Sequence, residues 1–300
     1  MQSFKFRYKR SFYKRYIQCG GKIMQVKGLN IDGVIKVDNA RVYGLEESII
    51  ASGYPMQVDT YDLDEDELDE KESRLIPKDI KRAKHLGNAV PGSGHDCFLK
   101  GIIVQFDLQV PEYIWRQLDR YHFIDYVSSQ SKMHRILKMD IDKACNKYVD
   151  SETLLMLEMY INAYNNFDTI TKLVSVEVRD LDIDNLPFIM SSREEEGKIL
   201  NEWFEDFYIE RFTYDIEDNQ LMYELRKGEY IPFTKENLFN MIIANTPCGL
   251  MLTARMTTNY LQLKSIINQR SNHKMQEWRY LCDWFKTLPM LEELVCKSRC

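Results

Sequence analysis

Between residues 24 and 38 apolar and polar side chains alternate, with Gly28 and Gly33 as punctuation, and this two-residue period predicts a hairpin. The period returns at 102–110, I-I-V-Q-F-D-L-Q-V, which predicts a strand ending at Pro111. Elsewhere the spacing is helical. It predicts helices over 76–89, broken by Pro91–Gly94, and over 112–122, with Pro111 at the entry where its missing N–H costs nothing. Ser151 is expected to cap a helix through Phe167, with an apolar stripe of Leu154, Leu155, Leu157, Met159, Ile161 and Tyr164. A short helix at 199–206 precedes two strand patterns, 207–214 and 221–226. Thr234 caps a helix over 235–244, a second helix is expected from 249 to 269, and a last helical pattern, interrupted near Pro289, runs over 272–296. Strands and helices mixed without regular βαβ alternation predict an α+β fold, an antiparallel or mixed sheet flanked by helices.

Composition narrows the setting. The 300 residues are 44% hydrophobic, enough for a substantial core. No window approaches eighteen consecutive apolar residues, and the basic N-terminus lacks the apolar stretch of a secretory leader, so a cytoplasmic chain with no membrane partner is expected. The seven cysteines form no C-x-x-C pair and read as reduced thiols, mostly core filler, with Cys296 and Cys300 a weak metal pair at best; no metal site is expected. Residues 1–31 carry eight lysines and arginines and no acid, whereas 59–72 hold nine acids and one lysine. The expected organisation is a basic extension over 1–23, then a single domain over 24–300 with an acidic insertion near 59–72. Met24 opens the better-patterned stretch and is a candidate natural start. Nucleic-acid binding by the basic arm is the weaker reading of its charge.

The chemistry concentrates between Pro111 and Arg135, where arginine, histidine, serine and glutamine are too dense for a core segment and call for water or a polyanionic ligand. The preceding stretch is G-H-D-C-F-L-K-G (Gly94–Gly101), followed by a strand, by P-x-x-x-x-R-Q-x-x-R (Pro111–Arg120) and by Ser131–His134. Further on, Pro247 precedes Asn259 by twelve residues and Arg270 by twenty-three, and Gln276 follows Arg270 by six. Taken together these segments resemble the flavin-dependent thymidylate synthases (ThyX-like proteins), whose pattern is G-H-x-x-P-F-E-H, a strand, P-x-x-x-x-R-Q-x-x-R-H-R and S-x-R-Y. The chain departs from it at Gly101 (family histidine), at Tyr121 and His122 (family H-R), at Met133 (family arginine), and at Ile243 and Leu261 (family arginines).

The resemblance implies a ThyX-like homotetramer that converts dUMP to dTMP with 5,10-methylenetetrahydrofolate as carbon source, NADPH as reductant and FAD as hydride carrier. It implies that Arg270 is the catalytic residue against the base. Gln117, Ser129, Ser131, Arg135 and Arg270 would bind dUMP, and Arg120, Tyr121, His122, Asn259 and Ser265 would bind FAD. A variant acting on another pyrimidine nucleotide, or a catalytically altered or inactive nucleotide-binding relative, is the alternative. On the residues alone, Arg270 could pair with an acid on the terminal helix such as Glu277, Arg135 with Asp125 or another acid, and Ser128 and Ser129 could be helix-cap or turn residues.

Overall fold

A computed structural model describes residues 23–57, 75–90, 92–172, 211–215 and 217–296. Its strands are β1 (Met24–Val26), β2 (Leu29–Ile31), β3 (Ile35–Tyr43), β4 (Ile103–Pro111), β5 (Ile124–Ser129), β6 (Phe212–Asp215), β7 (Gln220–Arg226), β8 (Glu229–Pro232) and β9 (Met251–Asn259). The helices are α1 (Leu45–Ala51), α2 (Pro77–Gly87), α3 (Glu112–Leu118), α4 (Lys132–Arg135), α5 (Ile141–Ala144), α6 (Ser151–Asn165), α7 (Lys235–Asn245), α8 (Tyr260–Arg270), α9 (Gln276–Lys286) and α10 (Leu291–Val295). The chain divides into two compact units, residues 1–130 with 251–300, and residues 131–250. Both the α+β class and the antiparallel sheet flanked by helices expected from the sequence are present. Among the described residues no helix is long and apolar enough to cross a membrane.

The first unit is organised by β4. It pairs with β3 on one side and with β9 on the other, giving an antiparallel sheet of order β1-β3-β4-β9-β5, with β2 also on β3. Successive side chains of a strand point to opposite faces. Accordingly Val104, Phe106, Leu108 and Val110 of β4, with Ala254, Met256 and Thr258 of β9, are buried, while Gln105, Asp107, Gln109, Thr253, Arg255 and Thr257 are only half-buried. In β3 the buried set slips from Ile35 and Val37 to Ala40 and Val42. A β-bulge accounts for the slip: Asp38 and Arg41 pair with Asp107 and Gln105, so β3 carries one extra residue, and Asn39 takes a left-handed conformation at φ 49°. Arg255 ties the bulge down from β9, donating to Asn39 O at 2.9 Å and to Asp107 Oδ1 at 3.1 Å.

On the buried face, α8 and α9 contribute Tyr260, Leu263, Ile266, Trp278, Leu281, Cys282 and Phe285 to the core. The Phe106 ring meets Trp284 at 5.2 Å and Phe285 at 6.0 Å. Burial pushes the Cys282 thiol up to about 11, the behaviour of a packing residue rather than a nucleophile. A charged pair crosses this core. Lys264 of α8, 5% exposed, donates to Asp96 Oδ2 at 2.7 Å, to Gly87 O at 2.8 Å and to Ala89 O at 3.0 Å. It thereby satisfies two carbonyls at the end of α2 as well as the carboxylate, whose burial alone would be costly.

The second unit, residues 131–250, holds a three-stranded antiparallel sheet, β6-β7-β8, and the packed helices α6 and α7. Phe212, Tyr223 and Phe233 form its aromatic centre, with Phe233 stacked on Phe167 at 5.3 Å.

Several expectations hold. The 24–38 hairpin closes through Gly33 at φ 60°, α2 lies inside 76–89, and Thr234 caps α7 by accepting from Asn237 N at 3.1 Å. Others are corrected. Residues 251–259 are the strand β9, inner to the sheet, and only Tyr260–Arg270 of the expected 249–269 helix is helical. Asp150 rather than Ser151 caps α6, accepting from Thr153 N at 2.9 Å, and Leu155 of the expected stripe is 49% exposed. The 112–122 helix stops at Leu118, and Ser128 and Ser129 lie in β5, not in a turn. The basic extension to residue 22, the acidic stretch, the 199–206 helix and positions 207–210 lie outside the described residues.

Breaking the buried pair tests its weight. Lys264→Met strands Asp96 and is expected to lose about 3–5 kcal/mol in urea unfolding, with Lys264→Met/Asp96→Leu recovering part of that loss.

Candidate functional site

The site is built from the end of α8, the loop 271–275, the start of α9 and the turn after α3. Trp278 is fully buried on α9 and donates its indole N–H to Gln117 Oε1 of α3 at 2.8 Å. Gln117 in turn donates to Met275 Sδ at 3.0 Å, so its amide fixes the indole to the loop that precedes α9. Arg270, the last residue of α8, lies over the indole with Cζ 4.9 Å from the ring centroid. Tyr121 closes the other side: its ring meets Trp278 edge-on at 6.0 Å, and its hydroxyl accepts from Arg270 Nε at 2.8 Å. The same hydroxyl donates to Gln269 Oε1 at 3.1 Å, and Gln269 Nε2 reaches Ser265 Oγ at 3.2 Å. A guanidinium held by its Nε and by an aromatic face loses little orientational freedom on binding, and its remaining N–H groups suit planar or anionic oxygens.

No carboxylate neutralises Arg270 among the described residues. Glu277, its potential partner, is 3% exposed and accepts instead from Tyr113 Oη at 2.5 Å. The charge therefore stays on the half-buried guanidinium. His273 sits in the loop beside it, with Nδ1 accepting from Met275 N at 3.2 Å. Burial, then the charges of Arg270 and Arg279, hold its imidazole below the usual histidine range.

Four of the residues singled out in the sequence therefore meet in one network: Gln117, Tyr121, Ser265 and Arg270. Asn259 caps α8 by accepting from Gln262 N at 2.9 Å, which leaves its amide N–H₂ for other partners. Arg120 and His122 are exposed on the turn 119–123, which Thr258 hooks to β9 by donating to Phe123 O at 2.7 Å. Ser129 is exposed on β5 opposite Ala254. In the second unit, Ser131 precedes α4 and makes no capping bond, and Arg135 lines an open cleft of about 360 Å³ with His134, Lys138, Met139, Asp140, Lys143 and Ala144. At Gly101 an added Cβ would lie 2.4 Å from Ser48 Oγ of α1.

Sequence reasoning missed Trp278, Gln269 and His273 as site members. Trp278 falls in the apolar stripe of α9 and reads as core, which it also is. His273, three residues after Arg270, carries a spacing signal, but only the loop geometry turns it into a neighbour.

No protein-family model matches the sequence, and no curated protein matches it. Among solved structures, the flavin-dependent thymidylate synthase ThyX from Helicobacter pylori complexed with FAD and dUMP is similar at 10% identity and TM-score 0.46, over 85% of this chain and 95% of that one. A second structure of Helicobacter pylori ThyX with FAD and dUMP is similar at the same identity and TM-score, over 85% and 94%. So loose an overlap leaves the chemistry to the residues.

Two outcomes check this geometry. Tyr121→Phe removes the bridge between Arg270 and Gln269 and is expected to lose about 0.5–1.5 kcal/mol in urea unfolding. Because the folded state disfavours protonated His273, stability should fall as pH drops below about 6.5, where the unfolded chain takes up the proton first. His273→Gln is expected to flatten that part of a stability-against-pH curve.

Proposed function

We propose that the Arg270 shelf binds a pyrimidine nucleotide and that the chain is a divergent flavin-dependent thymidylate synthase, reductively methylating dUMP to dTMP. The reading rests on one observation above all: a half-buried guanidinium with its Nε held by Tyr121 and its face on Trp278 has no carboxylate partner among the described residues. Such a group favours a ligand oxygen, since a bound carbonyl or anion replaces the hydration that the aromatic shelf denies it. The sequence resemblance puts the same arginine against the base and so agrees with this role. Arg270 would orient the pyrimidine and stabilise negative charge developing on its carbonyl oxygen; Trp278 and Tyr121 keep the guanidinium from turning away. Gln117 acts by holding the indole.

FAD is part of the proposal, and when bound it supplies the hydride. The donors suited to its phosphates are Arg120, His122 and the free amide of Asn259, a cationic and hydrogen-bonding set appropriate to a diphosphate. 5,10-Methylenetetrahydrofolate and NADPH enter as carbon source and reductant, and the homotetramer as the assembly, on the strength of the resemblance. Ser129, Ser131 and Arg135 are carried as dUMP contacts on the same footing.

A catalytically altered nucleotide-binding relative is the second reading. It is favoured by the crowding of Gly101 against Ser48, which leaves the position of the family histidine without a side chain. One experiment separates the two. Protein reconstituted with FAD and NADPH is supplied with dUMP and labelled methylenetetrahydrofolate, and label is expected in dTMP. Binding of dUMP without product selects the second reading; no binding of dUMP overturns both. Arg270→Ala is expected to weaken dUMP binding roughly ten- to hundredfold in calorimetric titration, the loss of one charge-assisted bond.

A further inference from the structure

The loop between α8 and α9 is held more tightly than a connector requires. His273 N donates to Arg270 O at 3.0 Å, and Arg279 of α9 clamps the loop from the other side, donating to His273 O at 2.6 Å and to Lys274 O at 2.8 Å. The imidazole meets the Trp278 indole edge-on at 6.3 Å. Its Nδ1 accepts from Met275 N at 3.2 Å, and a backbone amide can only donate. While that bond stands, Nδ1 carries no proton, so the neutral ring keeps its single proton on Nε2, which has no partner among the described residues.

Resting on the nucleotide reading above, we propose that His273 is a second, uncharged donor of the Arg270 site, presenting Nε2–H to a carbonyl oxygen of the pyrimidine base. The charged groups around the ring agree. Arg270, Lys274 and Arg279 oppose an imidazolium, and the one opposing acid, Glu277, is engaged by Tyr113. A site that already carries an arginine gains little from a second cation, whereas a neutral directional donor distinguishes a base carbonyl from a phosphate. The ligand class is thus a planar imide or amide, with the phosphate held elsewhere.

Long-range ¹H–¹⁵N spectra of the full chain test the ring directly, and titration with dUMP and with phosphate-free deoxyuridine tests its use. The expected result is an Nε2–H tautomer of the neutral ring at pH 8, as the Met275 bond demands. His273→Leu is expected to weaken dUMP and deoxyuridine alike by roughly five- to tenfold, and His273→Gln, which can place an amide N–H near the same point, to restore most of that loss. An Nδ1–H tautomer, or wild-type affinity in His273→Leu, overturns the inference and leaves the nucleotide reading intact. A wild-type chain that binds neither ligand overturns the nucleotide reading, and the donor role of His273 falls with it.

Discussion

The pairing of β4 with β9 is the constraint on which the first unit depends. Nine consecutive residues of one strand are in register with nine of the other, from Ile103 opposite Asn259 to Pro111 opposite Met251. That register joins chain segments separated by nearly half the sequence, and because side-chain direction alternates, it also decides which residues face α8 and α9. A slip by one position would turn the apolar set of one strand outward, Phe106 of β4 or Met256 of β9, and bring Asp107 or Arg255 into the core. The bulge at Asn39 carries the same phase into β3, correcting it by a single residue, and Arg255 holds that correction in place.

Upon that frame the site divides its labour between residues that can touch a ligand and residues that aim them. Trp278 is both core and shelf: one end of the indole is satisfied by Gln117, and the face is left to Arg270. The phenol of Tyr121 joins the two ends of this arrangement, accepting from Arg270 while donating to Gln269. Lys264 plays no part in that chemistry, but its three bonds hold the α8 backbone against the end of α2, and Arg270 closes the same helix.

Much of the frame was legible from spacing alone. The alternation in β4 is strong because Val104, Phe106 and Leu108 contrast with Gln105 and Asp107. The same alternation in β9 is faint: its buried side contains Ala254 and Thr258, and its other side contains Leu252, so little apolar contrast separates the faces and the segment passes for helix. At α6 an aspartate one residue earlier won the cap that serine was expected to fill, since its carboxylate accepts from both the backbone and the hydroxyl of Thr153. The site divides in the same way. Gln117, Tyr121 and Arg270 stand out by residue type and interval, whereas Trp278 and His273 acquire their roles from tertiary contacts that no one-dimensional pattern records.

The close approach of Gly101 to Ser48 bears on how such a chain can change. An added Cβ would lie 2.4 Å from the serine oxygen, so a side chain at 101 and the rotamer of Ser48 are coupled. Any side chain at 101 requires the hydroxyl on α1 to swing aside. Packing at this corner therefore couples two residues fifty-three positions apart: the side chain that 101 can carry depends on where the hydroxyl of Ser48 points.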